Sequence, residues 1–441
     1  MKDTLKRFFK IDERHSNLKT EMIAGITTFM TMAYILVVQP ALMVGNAPSL
    51  IDVNGILITK EAIVVTCAVV SGLITLLMAC YANLPFALAT GMGSNALFGG
   101  MLVNGEISFG GIMSMTLISG SIFLLLTLFG IRDLIVKTIP SNLKIAIGTA
   151  IGFYVAYLGF KNSGIGTFVN GISRGDFTQP SVYLALLGLI IIAVLTAKKV
   201  TGAILIGILV VTVLGIPLGV TTVPESLFKV PSFEGLSNVV FQFDWKSVLT
   251  WSAVPLIFTA FCGDFFSTLG TILGVGAKAG MLDEKGNFPD IQKPFLVDAI
   301  GTCVGACTGN TVITTFVESS AGVEAGGRTV FASVITALIF FAMVLFSPLV
   351  LMIPNAATGP ALIFVGFLMV QGIKNIDFSD FTEAFGPFAM IMFTIFTGSI
   401  AGGISSGIIA HVLIKTLTGH YKEVHPFLYI LCIPLVCYFI F

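Results

Sequence analysis

Two acidic residues sit where an apolar chain has little reason to place a charge. Asp264 lies in VPLIFTAFCGDFFSTLGTILGVG and Glu318 in TTFVESSAGV, each among apolar or small neighbours. A charge at the centre of a bilayer costs at least about 2.5 to 3.5 kcal/mol on insertion scales, so such residues mark solute and proton pathways. A carboxylate accepts N–H donors from a neutral heterocycle and also carries a proton, so both are candidates for substrate binding and proton coupling. Ser267 and Thr268 follow Asp264 by about one helical turn and share its face. Asn95, in GMGSNALF, offers an amide that donates and accepts; capping a helix is its other use. Phe316, two residues before Glu318, could stack on an aromatic solute, although packing competes in a chain with 38 phenylalanines. Asp298 and Glu324 lie near Lys293 and Arg328 and read as charges at a membrane boundary, with Asp298 also a candidate for transmitting proton coupling.

Other chemistries lack their parts. The seven cysteines form no CxxC pair, and only His411 of the four histidines sits in an apolar segment, so no metal-ligand cluster is expected. An aspartyl protease needs two aspartates in matched contexts and a hydrolase needs a nucleophile beside a histidine, and neither is visible. The GxG of Gly91 and Gly93 has no strand-turn-helix unit for a dinucleotide around it. The chain is read as a non-enzyme with no cofactor beyond a proton as coupling ion.

These residues must be positioned by membrane helices. The composition is 56% hydrophobic and 10% charged, against about 45–50% and about 25% in soluble domains. A spanning helix needs about 20 apolar residues. Clear runs cover 22–44, 61–80, 107–129, 180–197, 201–220, 249–277 and 329–351. Zero net charge and no basic block beyond the start of the chain exclude nucleic acid as a partner. Residues 1–21 read as a cytoplasmic tail. With that end inside, 18 of the 23 Lys and Arg residues fall on the cytoplasmic side, as the positive-inside rule requires.

Two spans are broken by small or turn-forming residues, NLPFALATGMGSNALFGGM at 83–101 and GNTVITTFVESSAGVEAGG at 309–327. Backbone of this kind at membrane depth must be buried in protein or line a wet cavity. Similar residues precede both, Ala79-Cys80-Tyr81-Ala82-Asn83 and Ala306-Cys307-Thr308-Gly309-Asn310, about half the chain apart. Paired interrupted spans in two halves point to a transporter binding site. The charge count puts Asn83 and Asn310 on opposite sides, so the halves are inverted, most simply with seven spans each. The apolar stretches 386–402, 404–417 and 426–441 make two spans or three, and fourteen spans in total is the preferred count. The expected units are the tail 1–21, a first repeat 22–220, an extracytoplasmic connection 221–248 and a second repeat 249–441.

GITTFMTMAYILVVQP at 25–40, GMGSNALF at 91–98, DFFSTLGTILGVG at 264–276, ESSAGVEAGGRT at 318–329 and ALIFVGFLMV at 361–370 together resemble the AzgA-like purine permeases. That branch of the nucleobase cation symporters is related to the uracil and xanthine permeases. The resemblance implies an all-α polytopic fold of fourteen spans in a 7+7 inverted repeat, with core and gate domains and short β-strands in the third and tenth spans. It implies proton-coupled uptake of hypoxanthine, guanine or adenine across the plasma membrane. Asn95, Asp264 and Glu318 match the family's purine-contacting positions, and Phe316 an aromatic position of the uracil permeases. Ser267 departs from the family's DxxDT pattern, which has a second aspartate there. Lipid surrounds such a protein, and a homodimer is a further partner to test. The competing expectation is an anion or other small-solute carrier on the same inverted-repeat fold, for which Arg or neutral donors near the half-helices would replace the two acids.

Overall fold

A computed structural model describes residues 11, 14, 16–130, 138–167, 173–231, 233–283 and 288–440. Most of the expected tail, with Arg132, Lys137 and Lys285, lies outside the described residues. Backbone in lipid must find its hydrogen bonds within its own segment or inside the protein. Helices supply them: eight helical stretches among the described residues have the length and apolarity to cross a membrane, and shorter apolar helices accompany them.

The first half begins with α1 (Leu18–Met32), whose N-terminus is capped by the Asn17 side chain accepting from Thr20 N at 2.9 Å. A break at Ala33 and Tyr34 leads into α2 (Ile35–Val44). After the hairpin of β1 (Ser49–Ile51) and β2 (Leu57–Thr59) comes α3 (Lys60–Leu77). The first broken span is the strand β3 (Leu88–Thr90) followed by α4 (Met92–Val103). Then follow α5 (Phe109–Leu128), α6 (Ser141–Asn162), the short pair β4 (Gly166–Thr167) and β5 (Ser173–Arg174), α7 (Pro180–Ala197) and α8 (Ala203–Gly215). The second half repeats the order. It runs α9 (Ala253–Lys278), α10 (Gln292–Cys307), the broken span β6 (Ile313–Thr315) with α11 (Ser319–Glu324), and α12 (Val330–Met343) with the short α13 (Ser347–Leu351). It finishes with α14 (Asn355–Val370), α15 (Phe381–Thr397) and α16 (Ile400–Leu417).

The protein is thus a polytopic helical membrane protein of two inverted sevenfold repeats. The three apolar stretches at the C-terminal end become three separate helices. Gly398, at φ 62°, ends α15, and Ser399 caps α16 by accepting from Gly402 N at 3.0 Å. α17 (Pro426–Ile440) follows α16.

The helices sort into two groups. In one, α12 packs on α1 and α3, α10 on α5, and α2 on α4. In the other, α6 packs on α14 and α15, α14 on α7 and α8, and α15 on α16. The α6–α14 contact is made backbone to backbone. A Cβ on Gly159 would lie 2.7 Å from Gly359 O, and one on Gly366 would lie 2.5 Å from Gly152 O. Small residues in register allow this approach where lipid gives helices no hydrophobic reason to associate.

Candidate functional site

The two broken spans meet. β3 and β6 pair antiparallel with Leu88 opposite Thr315, Ala89 opposite Thr314 and Thr90 opposite Ile313. Gly91 N donates to Val312 O at 2.8 Å and Phe316 N to Ala87 O at 3.0 Å, extending the ladder at both ends. Two three-residue strands would be unstable in water. Here every strand residue is buried, and the pairing satisfies backbone that would otherwise be bare at membrane depth. A half-helix leaves each strand, α4 after Gly91 and α11 after Glu318.

Beside this crossing lies a cavity of about 420 Å³. Asp264, Ser267, Phe316 and Glu318 all line it, so four of the five residues singled out from sequence converge on one space although they come from two separate segments. α9 presents Asp264 and Ser267; the turn from β6 into α11 presents Phe316 and Glu318. The opposite wall comes from the other helix group, with Ile145, Ile151, Val365 and Met369. A Cβ on Gly93 would lie 3.0 Å from Ile151 Cγ2, so glycine lets the wall of α6 come close to the start of α4.

Asn95 does not line the cavity. It is fully buried, donating through Nδ2 to Thr90 Oγ1 at 3.1 Å and accepting at Oδ1 from Thr311 Oγ1 at 2.6 Å. It therefore ties the first broken span to the second. Thr311 also contacts Ser94 Oγ at 3.1 Å, and nearby Gln39 Nε2 donates to Asn310 Oδ1 at 2.9 Å.

The Glu318 carboxylate accepts from Tyr34 Oη at 2.6 Å, while its carbonyl accepts from Thr31 Oγ1 at 3.3 Å. α11 has only six residues and takes no side-chain cap from Glu318. Tyr34 is 1% exposed, lies at the break between α1 and α2, and lines the cavity. Sequence reasoning missed it, and the only local signal is a hydroxyl in an otherwise apolar stretch.

Lys144 is in the first turn of α6 and lines the cavity, its Nζ 5.7 Å from the Phe266 ring centroid. Asp298, read as an interfacial charge, is fully buried inside α10. Its Oδ2 accepts from Thr268 Oγ1 at 2.5 Å and its Oδ1 from Thr315 Oγ1 at 2.9 Å. The correction has a simple cause: α10 begins at Gln292, so Lys293 and Asp298 lie on different turns and faces of one helix. Glu324 keeps its boundary character, exposed and paired with Lys278 at 2.6 Å. Among the described residues no cluster of His, Cys, Asp or Glu could hold a metal ion.

The chemistry available is recognition by two carboxylates, a hydroxyl and an aromatic ring in a cavity between two helix groups. Comparison with known proteins agrees. The profile of the permease family, xanthine/uracil type, matches residues 19–405. Adenine permease AdeQ of Escherichia coli is 34% identical over 98% of this chain and 94% of its own length. Guanine/hypoxanthine permease PbuO of Bacillus subtilis is 35% identical over 96% of this chain and 98% of its own. Among solved structures, the transmembrane domain of the cyanobacterial bicarbonate transporter BicA superposes with a TM-score of 0.62 at 14% identity, covering 89% of this chain and 97% of that domain. That likeness is one of fold, whereas the sequence matches run along nearly the whole chain and through both broken spans. The chain belongs to the xanthine/uracil permease family and is a transporter, not an enzyme.

Proposed function

We propose that this protein imports purine nucleobases, hypoxanthine, guanine or adenine, together with protons across the plasma membrane. The observation that carries the reading is the convergence of Asp264, Ser267, Phe316 and Glu318 on one cavity. Its volume falls within the range of about 300–1,000 Å³ typical of small-molecule sites. A purine is flat, aromatic and edged with N–H donors. Phe316 supplies a face, Asp264 and Glu318 accept N–H groups, and Ser267 can donate or accept. Two acids in the lining disfavour an anion, so the fold shared with a bicarbonate transporter does not extend to its solute. Relatives named for adenine and for guanine/hypoxanthine support the purine class.

The architecture supports alternating access. The cavity lies between two helix groups, and a relative movement of one against the other would open it to either side. It reaches Lys144, Gly372 and Asn375 at the end where α6 starts and α14 finishes. With the chain start in the cytoplasm, as the Lys and Arg distribution favours, that end is the cytoplasmic one. Asn95, bonded within the strand crossing, acts on substrate by holding Gly91 to Ser94 in place.

The test is uptake of radiolabelled hypoxanthine, guanine, adenine, xanthine and uracil in cells lacking their own permeases. Glu318→Ala should abolish purine uptake while the protein still reaches the membrane. Uptake at the wild-type rate by this variant would reject the assignment.

A further inference from the structure

Asp298 is a buried acid that the substrate cavity does not reach. α10 contributes no residue to the cavity lining, and Asp298 is 0% exposed. It nevertheless faces Asp264, which is 4% exposed and does line the cavity: Thr268, one turn after Asp264 on α9, donates to Asp298, and Thr302, one turn after Asp298 on α10, donates to Asp264.

Counting hydroxyl protons shows what this arrangement lacks. Thr268 gives its proton to Asp298 Oδ2 at 2.5 Å, so its 2.8 Å contact with Thr314 Oγ1 makes Thr314 the donor there. Thr315 gives its proton to Asp298 Oδ1 at 2.9 Å. Thr302 has one proton and two acceptors, Asp264 Oδ2 at 3.1 Å and Ile313 O at 3.0 Å. Among the described residues, none donates to the buried Asp264 Oδ1. Two ionised carboxylates facing each other in a low-dielectric interior repel, whereas one added proton turns the contact into a short, charge-assisted hydrogen bond.

We propose that Asp264 and Asp298 form a proton-binding pair that holds one exchangeable proton, with Asp298 as the partner that substrate never touches. This rests on the proton-coupled reading above and gives it a location. A purine donating N–H to Asp264 from the cavity leaves the space between the two acids to the proton. Solute and proton are then held on two sides of one carboxyl group. Binding the proton takes the pair from two negative charges to one, which lowers the cost of carrying it through the membrane interior as the helix groups move. Of the other titratable groups, Tyr34, Glu318 and Lys144 stand on the cavity wall. Asp298 acts through Asp264 and is a positioning residue for the proton.

The experiment uses the full chain in proteoliposomes with labelled hypoxanthine and adenine. Two rates are compared: accumulation driven by an imposed pH gradient, and counterflow exchange at equal pH, which needs no net proton movement. Asp298→Asn should lose gradient-driven accumulation while counterflow stays within about threefold of wild type. An Asn variant that accumulates purine with the wild-type dependence on the gradient overturns the proposal. Should that variant lose both activities, Thr315→Val decides, since it keeps the carboxyl group and removes one donor. A displaced pH profile of accumulation with intact counterflow supports the pair; a profile superimposable on wild type overturns it. Failure of the coupling reading itself shows earlier and separately, as wild-type accumulation that ignores a collapsed gradient.

Discussion

Tyr34→Phe removes one hydroxyl from a side chain that is 1% exposed and changes little else in the packing. That hydroxyl donates to Glu318 Oε1 at 2.6 Å, across a break between helices on one side and a strand-to-helix turn on the other. A hydrogen bond to a charged group contributes about 1.5–3 kcal/mol. If the bond serves to hold Glu318 in the orientation that meets substrate, its loss should appear in substrate affinity. At 1.4 kcal/mol per factor of ten, KM should rise about 10- to 150-fold. The low end is expected because Glu318 is only half-buried, so water can replace the lost donor. The assay is the concentration dependence of labelled purine uptake, normalised to the amount of protein at the cell surface. The reasoning also requires coupling: in a Glu318→Gln background, Tyr34→Phe should cost much less than in wild type. KM and maximal rate both within about twofold of wild type for Tyr34→Phe would refute it.

Three other outcomes follow from separate parts of the structure. Glu21 is fully buried, and its carboxylate accepts from Arg328 N at 2.9 Å and from Thr329 N at 3.2 Å at the start of α12. Glu21→Ala leaves two backbone donors unpaired and should cost about 2–4 kcal/mol, read as a fall in the melting temperature of purified protein; an unchanged melt would count against the cap. At Gly93, where a Cβ would lie 3.0 Å from Ile151 Cγ2, alanine should slow uptake and valine should stop it, with surface expression retained; equal uptake by the two variants would show that the contact does not limit movement. In the connection before α9, hydroxyl donors from Ser247 and Ser108 lower the Asp244 carboxyl from 3.8 to about 2. Its contribution to stability is therefore complete above pH 3.8 and is lost as pH falls toward 2. Asp244→Asn should flatten the melting-temperature profile across that window, and parallel profiles for variant and wild type would contradict this.

How much of the site could be read from sequence depends on whether a residue's role is set by its own segment or by a distant one. Asp264 and Glu318 were legible because burying a charge in apolar sequence is costly wherever the rest of the chain lies. The broken spans were legible for a similar reason, since Gly, Ser and Pro at membrane depth need protein or water around them. The inverted order of the halves followed from those spans together with the Lys and Arg distribution, and the antiparallel β3–β6 pairing is what inversion produces. Asn95 shows where local reasoning stops. Its depth was evident, but which way the amide points was decided by Thr311 on the other half of the chain. Tyr34 is the same case, with its partner Glu318 in the second repeat. Asp298 was misread for a different reason. Distance along the sequence from Lys293 was taken for distance from the membrane surface, yet five residues of helix rise about 7.5 Å and turn the side chain to another face. Lying five residues from a lysine therefore does not bring Asp298 to solvent, and in α10 it is the strand crossing, through Thr315, that meets it.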